Sequence, residues 1–317
     1  PDLPAGRSAH QIGVEEMTAV SQDKAPATPD AEAFVVEVEK PIREAWRMFA
    51  RNKAAVVGLI ILTLIILMSI FGPVVYPVDP FEIVGAPLTP PGSEGFPLGT
   101  DQQGRDMVAG LIYGSQATLL VGGAAAAITI TIGVLVGALA GYYRGWVEEV
   151  LMRITEFFQV LPPLLLAMVV VMLFSPSLVT IAIAVGIVSW TGTARLARGE
   201  FLRIRELDFV KAERAIGSRN ARIIWTIILP NAAPPLIVAA ALSVGTAILF
   251  EAGLSFLGLS DPNVMSWGYL IGVNRPQILE AWWPVTFPGL AIFITVLAVS
   301  LIGDGLNDAF NPKLRQR

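Results

Sequence analysis

The chain has 317 residues, 54% of them apolar and only 15% charged, and its mean hydropathy is +0.64. Soluble domains carry about 25% charged residues, so this composition indicates a protein that crosses a membrane several times. The net charge of −4 carries little information for such a chain, and no nucleic-acid partner is implied. The absence of cysteine excludes disulfides and thiolate metal sites.

The N-terminal region divides into two parts. Residues 1–36 are rich in Ala, Pro, Asp, Glu and Ser without apolar periodicity, which predicts a disordered cytoplasmic tail. In residues 37–53, Trp46 and Phe49 belong to an apolar set at helical spacing among basic residues. This pattern predicts an amphipathic helix on the cytoplasmic membrane surface, with an ordinary basic flank of the first span as the alternative.

Five charge-free windows predict the membrane spans, because the bilayer core of about 30 Å needs roughly 20 apolar residues per helix. The window 157–194 is split in two by Ser175, Pro176 and Ser177, which favour a turn. The expectation is an all-α transmembrane domain over residues 54–310 and a cytoplasmic tail at 311–317. Its six spans are predicted at about 54–75, 117–140, 157–174, 178–194, 232–254 and 284–303.

The basic residues predict the orientation of the spans. If residues 195–222 are cytoplasmic, only Arg105 and Arg275 of the 22 Lys and Arg residues lie outside. Cytoplasmic loops of membrane proteins carry this excess of positive charge. Both termini are therefore predicted to be cytoplasmic, and the central basic loop is long enough to hold a partner.

Small and aromatic residues predict packing roles. Gly133, Gly137 and Gly141 repeat every four residues in the second span, which places glycine on one helix face and favours close packing with another helix. Trp267, Trp282 and Trp283 are predicted to lie in a belt at the membrane interface.

Residues for catalysis are scarce. The chain has no Gly-Lys pair, so it lacks the phosphate-binding loop that ends in Gly-Lys-Ser/Thr, and its single histidine is His10. An ionisable group inside a bilayer is costly and marks function by default, and only Glu251 approaches such a position. We predict that Glu251 faces a pathway, with a cap on the helix break near Gly253 as the alternative. Energy for uphill transport would then come from another chain.

One motif points to a family. Gly217, Ile227, Leu229 and Pro230 have the spacing of the "EAA, three residues, Gly, nine residues, Ile-x-Leu-Pro" signature, and this segment resembles that of the permeases of ABC importers. The first three positions depart from the signature, since Lys-Ala-Glu stands for Glu-Ala-Ala at residues 211–213. Further segments resemble the "C" permease of the dipeptide, oligopeptide and nickel importers, so that the resemblance covers nearly all of residues 43–315. These segments are residues 98–106, 141–146, 254–259 and 303–308.

The resemblance implies a type I importer fold in the inner membrane of a prokaryote, and it implies partners. They are a homologous second permease, two ATPase subunits and an extracytoplasmic substrate-binding protein. The chain itself would hold no cofactor and catalyse no reaction, while ATP and Mg²⁺ would bind the ATPase subunits.

The resemblance also implies that the central loop contains the coupling helix that docks on an ATPase. A short helix over residues 211–215, a turn at Gly217 and Ser218, and a change of direction at Pro230 are predicted from the residues themselves. A basic loop on lipid headgroups is the alternative. The residues expected to act in coupling are Lys211, Ala212, Glu213, Arg214, Ala215, Gly217, Ser218, Arg219, Leu229 and Pro230.

The segment from Thr100 to Asp106 has two interpretations. Thr100 or Asp101 could cap a helix, with Asp101 and Arg105 as a favourable i,i+4 pair. Alternatively, Asp101 and Arg105 belong to an outer gate or contact the binding protein.

The function expected from these observations is that of a permease subunit of a peptide importer. An importer of nickel or another small solute is the first alternative. A stand-alone channel or secondary carrier is the second, and an intramembrane enzyme is the third.

Overall fold

The computed structural model describes residues 41–93 and 95–310, so the predicted tails at 1–36 and 311–317 lie outside the described residues. Within that part of the chain all regular secondary structure is helical. The helices are α1 (Pro41–Arg51), α2 (Lys53–Val75), α3 (Met107–Tyr143), α4 (Gly145–Val160), α5 (Pro163–Phe174), α6 (Leu178–Arg205), α7 (Asp208–Ala215), α8 (Asn220–Arg222), a π-helical turn (Ile223–Ile228), α9 (Leu229–Phe256), α10 (Trp267–Asn274), a 3₁₀ turn (Arg275–Gln277) and α11 (Trp283–Phe310).

Five membrane spans, or six if the bent pair α4 and α5 is one span, can be assigned to these helices by length and composition. Five are long and apolar enough to cross a bilayer alone, namely α2, α3, α6, the continuous helix Asn220–Phe256 and α11. The sixth is the pair α4 and α5, which meet at an angle of 88°. Because α5 has only 12 residues, or about 18 Å of helix, it is too short to cross a bilayer core by itself.

The third predicted span, 157–174, is wrong as a single helix. The chain leaves the helical conformation at Leu161 and Pro162, with ψ angles of 131° and 118°. Proline disfavours the helical conformation of the residue before it, and two prolines in succession remove two backbone donors. The helix therefore breaks before Pro163 and resumes in a new direction.

Several spans extend beyond their predicted ends. Helix α3 begins at Met107 instead of residue 117, and α6 continues past residue 194 to Arg205. The bilayer thickness sets the least length of a spanning helix and does not oblige the helix to end at the membrane surface. The predicted loop 195–230 is consequently helical at both ends, and only residues 206–219 connect the two spans.

Pro230 does not interrupt the fifth span, contrary to prediction. The wider π-helical turn Ile223–Ile228 ends two residues before it, and α9 continues through Pro234 and Pro235. A π-helical turn inserts an extra residue into an α-helix and is a common accommodation of a local defect in the hydrogen-bond pattern. The span therefore starts at Asn220, beside the coupling loop, instead of near residue 232.

The glycine stripe packs against α6, which confirms that prediction. A methyl group at Gly133 would lie 2.5 Å from Cβ of Thr193, and one at Gly137 would lie 2.3 Å from the carbonyl oxygen of Ala194. At Gly141 the corresponding distance is 2.7 Å to the carbonyl oxygen of Arg198. Only glycine allows the two backbones to approach this closely.

Helix α1 lies within the predicted interfacial segment 37–53. Its Phe49 is buried with Ala55 and Ala309, whereas Trp46 is 61% exposed and stacks on Phe49. Asn52 separates α1 from α2 and accepts a hydrogen bond from the Ala55 N–H at 3.1 Å. The end of α1 is therefore fixed to the spanning helices.

The long connection between α2 and α3 packs against α10 and the start of α11. The Gln102 N–H donates to Oδ1 of Asn274 at 3.0 Å, and Nε1 of Trp283 donates to the Thr100 carbonyl at 3.0 Å. Trp267 is fully buried and donates to the Leu111 carbonyl. The predicted tryptophan belt is thus wrong for Trp267 and Trp283, because their indole N–H groups are satisfied inside the protein.

Candidate functional site

Helix α7 forms the centre of the predicted coupling site, and its end is defined by Gly217. Gly217 has a φ angle of +82° and follows the last helical turn. The Ser218 N–H donates to the Glu213 carbonyl at 3.1 Å, and the Gly217 N–H donates to the Arg214 carbonyl at 3.0 Å. These two bonds constitute a Schellman motif, in which a left-handed residue satisfies the last helix carbonyls.

The side chains reinforce this helix end. The Ser218 hydroxyl donates to the Glu213 carboxylate, so that the two residues joined by the Schellman backbone bond also pair through their side chains. Glu213, Gly217 and Ser218 therefore define together where α7 ends and where the chain turns towards Arg219.

The inner face of α7 is anchored by an apolar contact. Val210 is fully buried and belongs to a cluster with Phe201 and Ile204 of α6 and Ile223 and Ile224 of the π-helical turn. Deep burial of a valine stabilises its position by about 1.5–3 kcal/mol relative to an exposed one. A displacement of α7 would therefore also displace the ends of both neighbouring spans.

Tyr142, at the end of α3, provides a polar anchor for the same loop. Its hydroxyl donates to Oδ1 of Asn220 at 2.7 Å, and its carbonyl accepts from Nη1 of Arg205 at 2.5 Å. The Arg214 guanidinium lies 5.1 Å from the centre of its ring, at cation–π distance. Tyr142 thus contacts α6 through its carbonyl, and α7 and α8 through its side chain.

The outer face of α7 is exposed and has a mixed character. Phe209 is 44% exposed and Ile216 is 76% exposed, with Ala212 between them on the helix. Lys211 lies beside this face, 4.0 Å from Asp208. An exposed apolar strip bordered by charges in a polar loop is typical of a contact surface for another protein.

The other predicted coupling residues lie at different places. Arg214 is half-buried against Tyr142, while Ala215 and Arg219 are exposed. Leu229 is half-buried and Pro230 is exposed, both on the spanning helix after the π-helical turn. The structure therefore brings residues 211–219 together on one loop and leaves Leu229 and Pro230 on the adjoining span.

Asp101 and Arg105 lie in a turn and not in a helix, so the prediction that Asp101 caps a helix is wrong. The Asp101 carboxylate accepts from the Gln103 N–H at 2.8 Å and the Arg105 N–H at 2.9 Å. Gly104 has a φ angle of +78°, which ends any helical course. The actual N-cap of α3 is Asp106, whose Oδ1 accepts from the Val108 N–H at 2.6 Å.

Burial affects the ionisation of this turn. Asp101 is 1% exposed, and this burial raises the pKa of its carboxyl, although the hydrogen bonds and the Arg105 charge oppose the rise. A hydrogen bond from Tyr76 to Asp106 raises the pKa of the Tyr76 hydroxyl to about 12. The Arg105 side chain turns away to Phe81 and to the Tyr269 hydroxyl. A gate or docking role for Asp101 and Arg105 stays a prediction.

Glu251 is buried within the protein, with 1% of its surface exposed. Its Oε1 accepts from the hydroxyls of Ser255 at 2.9 Å and Ser266 at 2.7 Å. Ser266 is the N-cap of α10, so this carboxyl links α9 to α10. The pathway role of Glu251 stays a prediction.

Sequence reasoning missed Tyr142 and Val210. Val210 lay inside the coupling segment without a distinguishing signal, since its burial depends on residues from α6 and the π-helical turn. Tyr142 was noticed only within the resembling segment 141–146, and its partners Arg205, Arg214 and Asn220 are far away in sequence.

The chain matches known proteins over most of its length. Residues 133–316 match the family described as binding-protein-dependent transport system inner membrane component, and residues 40–91 match the N-terminal TM domain of oligopeptide transport permease C. The di/tripeptide transport system permease protein DppC of Pseudomonas aeruginosa is 41% identical over 87% of this chain and 93% of its own length. The oligopeptide transport system permease protein OppC of Bacillus subtilis is 36% identical over 86% of this chain and 90% of its own length.

A solved structure has a similar fold. The chain aligns with an inward-facing structure of the MetNI methionine ABC transporter, with a TM-score of 0.50, 20% identity, and coverage of 62% of this chain and 93% of that one. This likeness confirms the predicted type I permease fold. The helices and the relatives together establish a multi-pass protein of the bacterial inner membrane. The chain belongs to the family of binding-protein-dependent transport system inner membrane components, the permease subunits of ABC transporters.

Proposed function

We propose that the chain is the transmembrane permease subunit of an ATP-driven importer of peptides and supplies half of the translocation pathway. The relatives that cover nearly the whole chain are named as dipeptide, di/tripeptide or oligopeptide permeases. Two ATPase subunits, which bind ATP and Mg²⁺, would provide the energy. A homologous permease and an extracytoplasmic binding protein complete the proposed assembly.

The exposed face of α7 is the observation that supports the coupling to an ATPase. An ATPase that contacts Phe209, Ala212 and Ile216 would pull on a helix whose opposite face is anchored by Val210. Because Val210 packs on the ends of α6 and the fifth span, movement of α7 would pass directly to two spanning helices. Rigid movement of such helices switches access to a central pathway from one side to the other.

The proposal can be tested in the assembled transporter, reconstituted into lipid vesicles with a dipeptide as the transported solute. The change Ile216→Asp places a charge at the most exposed residue of the strip, where an ATPase contact would have to desolvate it. We expect ATPase subunits to be lost on purification and ATP-dependent uptake to fall at least tenfold.

Leu279→Asp is the matched control, because Leu279 is 97% exposed and lies on the other predicted side of the membrane. It should leave the ATPase subunits bound. Retention of the ATPases and full uptake by Ile216→Asp would contradict the coupling role. Uptake by the isolated chain without ATP would instead indicate a channel or secondary carrier.

A further inference from the structure

A cavity of about 290 Å³ lies between α3, α6 and α9. Its lining residues come from the middle of each helix, far from the loops at either end. Among the described residues that line it, none carries a charge. Its polar lining consists of five hydroxyl side chains, and α6 also contributes a glycine: Thr129, Ser189, Thr193, Ser243, Thr246 and Gly192.

The hydroxyl groups differ in how they are satisfied. Those of Ser243 and Thr246 donate to the carbonyls one turn earlier, at 2.8 Å from Ala239 and 3.2 Å from Leu242. This arrangement is usual for hydroxyls in membrane helices and leaves their oxygens free to accept. The Ser189 hydroxyl oxygen is buried and meets no hydrogen-bond partner within the part of the chain that the structure describes. Such orphaned buried groups are rare and call for an explanation.

We infer that this cavity is a subsite for the main-chain amide groups of a peptide in transit. A peptide group presents one N–H donor and one C=O acceptor. The cavity offers a matching pair, since Ser189 has a donor to give and Ser243 and Thr246 have oxygens that accept. This assignment rests on the proposed function of peptide import.

The uncharged lining defines which part of the peptide enters. A charged terminus or side chain would find no counter-charge there, and its burial would be costly. Amide groups occur in every peptide regardless of sequence, so a site that binds them accepts many sequences. The volume of about 290 Å³ lies just below the roughly 300–1,000 Å³ of ligand pockets, which suits a subsite for part of a ligand.

Gly192 permits a steric test. It lines the cavity, and a Cβ atom added to it would meet no atom within 4 Å in the described structure. A leucine at this position would fill the cavity with little disturbance of the surrounding helices. Gly289 of α11 also has free space at this distance and lies outside the cavity lining, so Gly289→Leu is the matched control.

The hydroxyls permit a chemical test. The double variant Ser189→Ala with Thr193→Val removes two hydroxyls of the cavity with almost no change of volume. Thr63→Val is its control, because Thr63 lies on α2 and its hydroxyl donates to the Leu59 carbonyl of its own helix.

The experiment measures ATP-dependent uptake of dialanine by the complete transporter in lipid vesicles. The same uptake is measured for dialanine methylated on its amide nitrogen, which lacks the N–H donor. We expect Gly192→Leu and the double variant each to reduce dialanine uptake at least fivefold, whereas Gly289→Leu and Thr63→Val remain within twofold of the unaltered protein. The methylated peptide should be a poor substrate of the unaltered protein, because it cannot donate to Ser243 and Thr246. It should still lose uptake in the double variant, because its C=O group keeps the need for the Ser189 donor.

The outcomes separate this inference from the proposed function. If the unaltered transporter shows no ATP-dependent uptake of any peptide, the proposed function fails. If it transports dialanine and both cavity variants do so equally well, the subsite is overturned while the proposed function stands. Equal losses in cavity and control variants would also overturn it.

A second measurement distinguishes loss of peptide binding from loss of uptake through misfolding of a variant. The chain contains no cysteine, so Gly192→Cys introduces a single thiol. Dialanine should slow the reaction of that thiol with a small maleimide at least threefold in the assembled transporter, and it should leave Thr63→Cys unaffected. Equal reaction rates with and without dialanine would contradict occupancy of the cavity.

Discussion

At the scale of single residues, Asp101 shows how a buried carboxylate stabilises a turn. Replacement by alanine leaves the Gln103 and Arg105 N–H groups without an acceptor, at a cost of about 1–3 kcal/mol each where they are shielded from water. We expect Asp101→Ala to lower the apparent melting temperature of the purified transporter by several degrees. Asp101→Asn keeps the accepting oxygen and should stay within about 2 °C of the unaltered protein, on the same order-of-magnitude grounds.

The ionisation of Asp101 adds a dependence on pH with a definite sign. Burial raises the pKa of its carboxyl in the folded protein above the ordinary value of 3.8, so the folded state binds more protons between these two values. Its contribution to stability must therefore decrease as the pH rises from about 4 through the raised pKa. Melting temperatures recorded across that pH range should show this decrease for the unaltered protein and not for the Asn variant. A rise of the melting temperature with pH that is absent from the Asn variant would contradict the burial argument.

Substitution of Gly217 is restricted by its backbone conformation and not by a lack of room for a side chain. Its φ angle is +82°, and an added Cβ would meet no atom within 4 Å in the described structure. A left-handed conformation costs roughly 1–2 kcal/mol for an ordinary residue, less for Asn and more for a β-branched one. We expect ATP-dependent uptake to decrease in the order Gly, Asn, Ala, Val, with equal amounts of each protein in the membrane. Full activity of Gly217→Val would show that the end of α7 is unimportant for coupling.

At the scale of helices, the contact between α3 and α6 provides a comparison within one helix. A methyl group at Gly137 would press on the Ala194 carbonyl of the α6 backbone, whereas one at Gly123 meets no atom within 4 Å among the described residues. Gly137→Ala should therefore destabilise the protein by about 1–3 kcal/mol through overpacking. Gly123→Ala should be neutral or stabilising by up to about 1 kcal/mol, because alanine favours a helix more than glycine does. Melting temperatures of opposite order would contradict the packing assignment.

The sequence predicted the spanning helices better than it predicted their ends. Long charge-free windows locate spans because the bilayer core admits few charges. The same rule misplaced the end of α6, where four basic residues continue the helix beyond the membrane to Arg205. The pair of prolines explains the break at Leu161 and Pro162. The angle of 88° between α4 and α5 depends on packing and cannot be read from the local sequence. The Tyr142 contacts were hidden for the same reason, since they join residues up to 78 positions apart.

At the scale of the whole molecule, the orientation predicted from the basic residues decides whether α7 can reach an ATPase. The chain has no cysteine, so single thiols introduced at Leu279 and Ile216 report one side each. A membrane-impermeant maleimide should label Leu279→Cys in spheroplasts and Ile216→Cys only in inside-out vesicles. Both side chains are well exposed in the chain, at 97% and 76%, so failure to react reflects the membrane or a bound partner.

The labelling of Ile216→Cys also distinguishes those two causes. If an ATPase covers the strip of Phe209, Ala212 and Ile216, removal of peripheral subunits from inside-out vesicles should increase the labelling rate at least threefold. Leu279→Cys should be unaffected by this treatment, because peripheral ATPases bind only to the cytoplasmic surface. Labelling of Ile216→Cys in spheroplasts would place α7 outside the cell and contradict both the orientation and the coupling role. A thiol that reacts equally before and after removal of the peripheral subunits would retain the orientation and contradict the contact.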